Sequence, residues 1–152
     1  MSLVFEKVSS GDIQFVVGKL WDRGEKEAAK AGFDSKEQLL AHLLSLSGEY
    51  AYALKVEEEP VAVFGATTSN RGQLYYSWFI ATDQFNKVGK QATRFLRGFI
   101  KERVKGRPDA RLEMMSAVDH PEAEKWFKFI GFRKLEEESE GVFSRYIYEE
   151  KR

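Results

Sequence analysis

The chain has 152 residues, with 24 Lys+Arg balancing 24 Asp+Glu, 43% hydrophobic residues, no cysteine and two histidines. A chain this long buries roughly two-thirds of its unfolded surface, enough for one domain, residues 1–152, with its own core. The composition excludes disulfides, Cys-ligated zinc, iron–sulfur clusters and thiol catalysis, gives no His-built metal site, and contains neither a membrane-length apolar run nor a signal-peptide pattern, so a cytoplasmic setting without a membrane partner is expected.

Leu3 to Val8 alternates and predicts a short strand. A helix follows, capped by Ser10 or Asp12, with Ile13, Val16, Val17, Leu20 and Trp21 at helical spacing and a charged second half reaching Gly32. Ser35 caps a second helix that carries Leu39, Leu40, Leu43, Leu44 and Leu46 and stops at Gly48. From Tyr50 the period changes to two, and the turn Glu57 to Pro60 reverses the chain into a partner strand, Val61 to Thr68. After a turn at Asn70-Arg71-Gly72, Leu74 to Thr82 is apolar almost throughout, which predicts a central strand covered on both faces.

A long helix is predicted from Asn86 to Val104, a strand from Ala110 to Val118, and a helix starting at Pro121 and ending at Gly131. Phe132 to Glu137 and Val142 to Tyr148 form a closing hairpin around the turn Glu138 to Gly141. The order is β-α-α-β-β-β-α-β-α-β-β, an α/β chain with a mixed, α+β-type sheet.

That order, and the segment HPEAEKWFKFIGF from His120 to Phe132, resemble the GCN5-related N-acetyltransferase (GNAT) superfamily. Ala123, Gly131 and Phe132 match its Asn-x-x-Ala-x-x-x-Tyr-x-x-x-Gly-Phe segment. His120 stands in place of Asn, and Phe127 in place of the tyrosine that protonates the departing thiolate. The resemblance implies the acyl-CoA N-acyltransferase fold, acetyl-CoA (or CoA) as cofactor and an amine as acceptor. Its Gln/Arg-x-x-Gly-x-Gly/Ala loop, whose amides receive the coenzyme pyrophosphate, falls on Asn86-Lys87-Val88-Gly89-Lys90-Gln91. Only Gly89 matches. Lys87 and Lys90 add positive charge there, and the side chain of Gln91 takes up phosphate space. The resemblance also places pantetheine and an oxyanion-binding backbone amide along Phe79, Ile80 and Ala81, with His120 and Phe127 beside the cofactor.

A narrower similarity, in Trp78 to Phe85, Gly89-Lys90 and Phe129-Ile130-Gly131, is to small internal virion proteins of short-tailed lytic phages, which are divergent members of the same fold. It implies the alternative of an inactive structural protein with virion partners.

Acetyl transfer requires a base for the amine and a donor for the oxyanion, and positioning alone supplies several kcal/mol of the barrier. Candidate acid–base residues are Asp83 at a strand end, Glu113 on the next strand and His120; for each, solvation or helix capping is the stronger reading. Tyr75 and Tyr76 are packing residues or water holders, and His42 is a surface histidine. Lys87, Lys90, Arg94, Arg97 and Lys101 are spaced 3, 4, 3 and 4, which puts them on one helix face. From Lys87 to Arg107 there are eight basic residues and one acid, Glu102. Such a stripe is a solvated face, an attractor for coenzyme phosphate at its start, or a contact for nucleic-acid phosphate along its length. Nothing in the stretch resembles base readout, and no stacking pair is embedded among these basic residues.

Overall fold

The computed structural model describes residues 3–46, 50–68, 74–104, 111–117, 121–140 and 143–149. The elements are β1 (Leu3–Lys7), α1 (Ser10–Gly18), α2 (Asp22–Lys30), α3 (Lys36–Leu46), β2 (Tyr50–Val56), β3 (Glu59–Thr68), β4 (Leu74–Ala81), α4 (Phe85–Val104), β5 (Arg111–Ala117), α5 (Pro121–Ile130), β6 (Arg133–Glu140) and β7 (Phe143–Glu149). They form two compact units, Met1–Thr67 with Trp78–Ala92, and Thr68–Ser77 with Thr93–Arg152.

In the first unit the strand order is β1-β2-β3-β4, with β1/β2 and β2/β3 antiparallel. A core of Ile13, Val16, Val17 and Leu20 from the α1 side and Leu39 and Leu43 from α3 packs with Ala53, Val63 and Ile80 of the strands. The β2–β3 reversal is tighter than the predicted four-residue turn. Only Glu57 and Glu58 turn, both at positive φ (50° and 72°), while Glu59 and Pro60 belong to β3 and a register shift at Leu54/Lys55 places Pro60 opposite Lys55. Paired positive-φ residues match the twist of a two-residue hairpin.

The first predicted helix is two helices. Residue spacing alone continues through Leu20 and Trp21, but the chain leaves α1 at Lys19, Leu20 bridges Thr82, and the Trp21 N–H donates to the Ala81 carbonyl at 2.9 Å. A strand-edge acceptor has replaced the i−4 carbonyl. The N-cap is Ser9, neither Ser10 nor Asp12. Ser9 Oγ accepts from the Asp12 N–H at 3.2 Å and the Asp12 carboxylate accepts from the Ser9 N–H at 2.9 Å, a reciprocal capping box. Asp12 is buried and its carboxylate also lies 3.2 Å from Lys55 Nζ, which is 2.7 Å from Glu6. Hydrogen bonding to Glu6, joined by that to Asp12 and opposed by partial desolvation, raises the Lys55 pKa above 10.5. Ser9→Ala is expected to lower stability by about 1 kcal/mol; a denaturant titration of the variant reads it, and an unchanged midpoint contradicts the capping assignment.

Ser35 caps α3 as predicted, accepting from the Gln38 N–H at 3.2 Å. The expected stop at Gly48 lies outside the described residues, as do the turns at Asn70 to Gly72 and Gly106 to Pro108.

In the second unit the order is β4-β5-β7-β6. Leu74–Tyr76 of β4 pairs in parallel with Arg111–Glu113, β5 pairs antiparallel with β7 from Arg111↔Glu149 to Ala117↔Phe143, and β7 pairs antiparallel with β6. Glu138 to Glu140, expected in a turn, are strand residues, and Glu140 pairs with Phe143. Pro121 opens α5 as expected. Gly131 ends it at φ 107°, with the Phe132 N–H bonded to the Phe127 carbonyl at 2.8 Å, and a Cβ on Gly131 would stand 2.6 Å from the Tyr148 ring. Both the left-handed backbone and the close ring require glycine there.

Candidate functional site

The cofactor residues implied by the resemblance divide between the units. Phe79, Ile80, Ala81 and Asn86 to Gln91 lie in the first, and Phe127 in the second. His120 lies outside the described residues, as do the side chains of Tyr75, Tyr76 and Ala123.

Ile80 and Ala81 are buried and Phe79 is half-buried. Phe79 meets Phe85 edge-on at 5.3 Å and Trp21 at 6.2 Å, and Trp21 meets Phe85 at 5.6 Å. Three aromatic rings therefore close over this end of β4. With the Trp21 N–H on its carbonyl, the Ala81 backbone acceptor is already occupied.

Helical spacing and a phosphate-binding loop make competing demands on Asn86 to Gln91, and these residues are helical from Phe85 onward. The Gln84 N–H donates to Thr82 Oγ1 at 3.2 Å, and the N–H groups of Phe85, Asn86 and Lys87 donate to the carbonyls of Thr82, Asp83 and Gln84 at 3.1, 3.2 and 3.1 Å. From Val88 the amides lie in the α-helical ladder. The orphan donors that make a helix N-terminus an anion site are thus satisfied within the chain. Gly89 is not at positive φ, and a Cβ there would meet open space. Val88 is buried, while Asn86, Lys87, Lys90 and Gln91 are exposed. A coenzyme pyrophosphate here would meet the exposed Lys87 and Lys90 as point charges, beside first-turn amides that are bonded within the chain.

Phe127, at the tyrosine position, is 2% exposed and stacks on Tyr146 at 4.3 Å between ring centroids, with Phe132 and Trp126 edge-on. It is a core residue of the second unit. Asp83 is exposed, with its carbonyl accepting from the Asn86 N–H, which makes it part of the α4 start. Glu113 is buried in the second unit, where its carbonyl accepts from Ser77 Oγ at 2.8 Å. The two carboxylates fall in different units. Among the described residues no group of His, Cys, Asp and Glu can hold a metal, and no helix is long and apolar enough to cross a membrane.

The basic stripe is exposed at Lys87, Lys90, Arg94, Arg97 and Lys101. One of its features had no linear signal. Arg97 Cζ lies 5.4 Å from the centroid of the Phe129 ring, brought from α5, and Trp126 Nε1 donates to Thr93 Oγ1 at 3.0 Å one helical turn earlier. Phe129 of α5 thus stands beside Arg97 of the stripe.

No family model matches the chain, and no curated protein matches it by sequence. Solved structures do. A GNAT-family acetyltransferase from Bacillus anthracis superimposes with a TM-score of 0.66 at 14% identity, covering 97% of this chain and 93% of that one. The PaiA N-acetyltransferase from Thermoplasma acidophilum, solved with coenzyme A, gives 0.66 at 12% identity with 99% and 100% coverage. AAC(6')-Ib, in complex with paromomycin and acetyl-CoA, gives 0.67 at 13% identity with 98% and 94% coverage. With seven strands of mixed direction and five helices among the described residues, and this likeness along nearly the whole chain, the protein has the GNAT acyl-CoA N-acyltransferase fold.

Proposed function

We propose that the chain uses the GNAT fold as a single-domain, non-catalytic interaction protein of the internal virion type and contacts nucleic-acid phosphate through the basic face of α4. The observation that supports this reading is the helical state of Asn86 to Gln91, with the amides of Phe85 to Lys87 bonded within the chain. Phe127 agrees with it, because a buried phenyl ring has no proton to give. The exposed stripe supplies the positive charge for a phosphate contact in a chain whose net charge is zero. Other virion proteins are the partners this reading expects.

A second reading, an acetyl-CoA-dependent N-acetyltransferase acting on an amine, is favoured by the near-complete coverage of acetyltransferases solved with coenzyme A or acetyl-CoA. An assay of acetyl transfer to a panel of simple amines and polyamines separates the two. No transfer is expected; turnover above about 1 per second, the ordinary enzymatic range, establishes the second reading instead.

A further inference from the structure

The preferred form of nucleic acid follows from the aromatic ring at the edge of the stripe, and this step rests on the phosphate-contact reading above. Within the second unit, Thr93 and Arg97 of α4 face Trp126 and Phe129 of α5, one contact per helical turn in the same order along both helices. Arg94 and Lys101 lie within about 60° of Arg97 around the α4 axis, and Lys125 lies one turn before Phe129 on α5. All four basic residues are exposed, and none takes part in an ion pair among the described residues. Lys128 is exposed but pairs with Glu124 at 3.6 Å, and Glu102 is the acid next to Lys101.

Phe129 is 47% exposed at the centre of this patch. A phenyl ring left open to water loses the stabilisation of burial, and the Arg97 guanidinium over it adds a cation–π contact and a planar group. Positive charge alone would serve any polyanion. A ring beside a guanidinium serves bases whose faces are free, and in a duplex those faces are stacked on each other.

We propose that Arg94, Arg97, Lys101 and Lys125 hold the backbone of single-stranded nucleic acid while an unstacked base lies on Phe129 beside Arg97. Among the described residues of this surface no side chains are arranged for base-edge readout, so binding is expected to be indifferent to sequence.

The test is fluorescence anisotropy of the intact protein with a labelled 20-nucleotide oligo-dT at low salt, with the duplex of the same length and inorganic polyphosphate as competitors. The expected result is preference for the single strand, about tenfold or greater weakening in Phe129→Ala and in Phe129→Leu, and retention in Phe129→Tyr. Replacing Arg94, Arg97 and Lys101 by Gln should flatten the slope of log K against log salt by about 2. The leucine variant keeps apolar cover on the helix surface, so its loss of binding is not a loss of fold. If oligo-dT binds and competes equally with duplex and polyphosphate while Phe129→Leu changes nothing, stacking is overturned and the phosphate contact stands. If none of these polyanions binds at low salt, both are overturned.

Discussion

Replacing Phe127 by alanine is expected to lower stability by about 3–5 kcal/mol, the range for removing a large aromatic side chain from a filled core. The ring is 2% exposed, stacked on Tyr146 and bordered by Phe132 and Trp126, so its removal leaves a cavity among rings that cannot close in without losing their mutual contacts. The more informative variant is Phe127→Tyr. At a cleft wall the added hydroxyl would be free of cost and would restore the family's proton donor. In this core it buries a polar group, and destabilisation of about 1–3 kcal/mol with no gain of acetyl transfer is expected. Urea unfolding together with an acetyl-transfer assay reads both consequences. A tyrosine variant as stable as the parent and active would move Phe127 from the core to a catalytic wall.

Gly65→Ala is the second large effect. A Cβ on Gly65 of β3 would stand 2.3 Å from Cε2 and Cζ2 of Trp78, far inside contact distance. The indole cannot swing aside, because Trp78 packs against the cluster that contains Ile13, Val17, Leu39 and Val63. Overpacking of this kind costs about 1–3 kcal/mol, and a rigid ring puts it at the upper end. The same loss should shrink in a Trp78→Phe background, since the smaller ring leaves the space that the methyl needs. Trp78 Nε1 is buried with no hydrogen-bond partner among the described residues, so that background loses no hydrogen bond. A double-mutant cycle measures the coupling directly. Equal cost of Gly65→Ala in both backgrounds would contradict the contact.

Much of the architecture is readable from local rules. Ser35 before Leu39 and Leu43 marks α3, Pro121 and Gly131 bracket α5, and the switch of period near Tyr50 marks the start of the strands. The break after Gly18 is not readable. Val16, Val17, Leu20 and Trp21 keep helical spacing, and only the Ala81 carbonyl, about sixty residues away in sequence, draws the Trp21 N–H out of the helix. Family matching of Asn86 to Gln91 set a loop where helical spacing set a helix; Thr82, Asp83 and Gln84 decide between them by accepting from the first amides of α4. Phe129 shows the same dependence on tertiary context. Its distance from Arg97 in the chain hides a contact that the Trp126–Thr93 hydrogen bond sets up one turn earlier.

The proposed non-catalytic role depends most on the amides at the start of α4 being committed within the chain. The direct measurement is the thermal midpoint of the intact protein with and without about 1 mM acetyl-CoA. A ligand present at ~100 times its Kd adds about 2.7 kcal/mol, which for a chain of this length raises the midpoint by roughly 5–10 °C. A midpoint unchanged to within about 1 °C is predicted; a rise of about 5 °C or more would mean that the Asn86 to Gln91 segment receives the coenzyme after all.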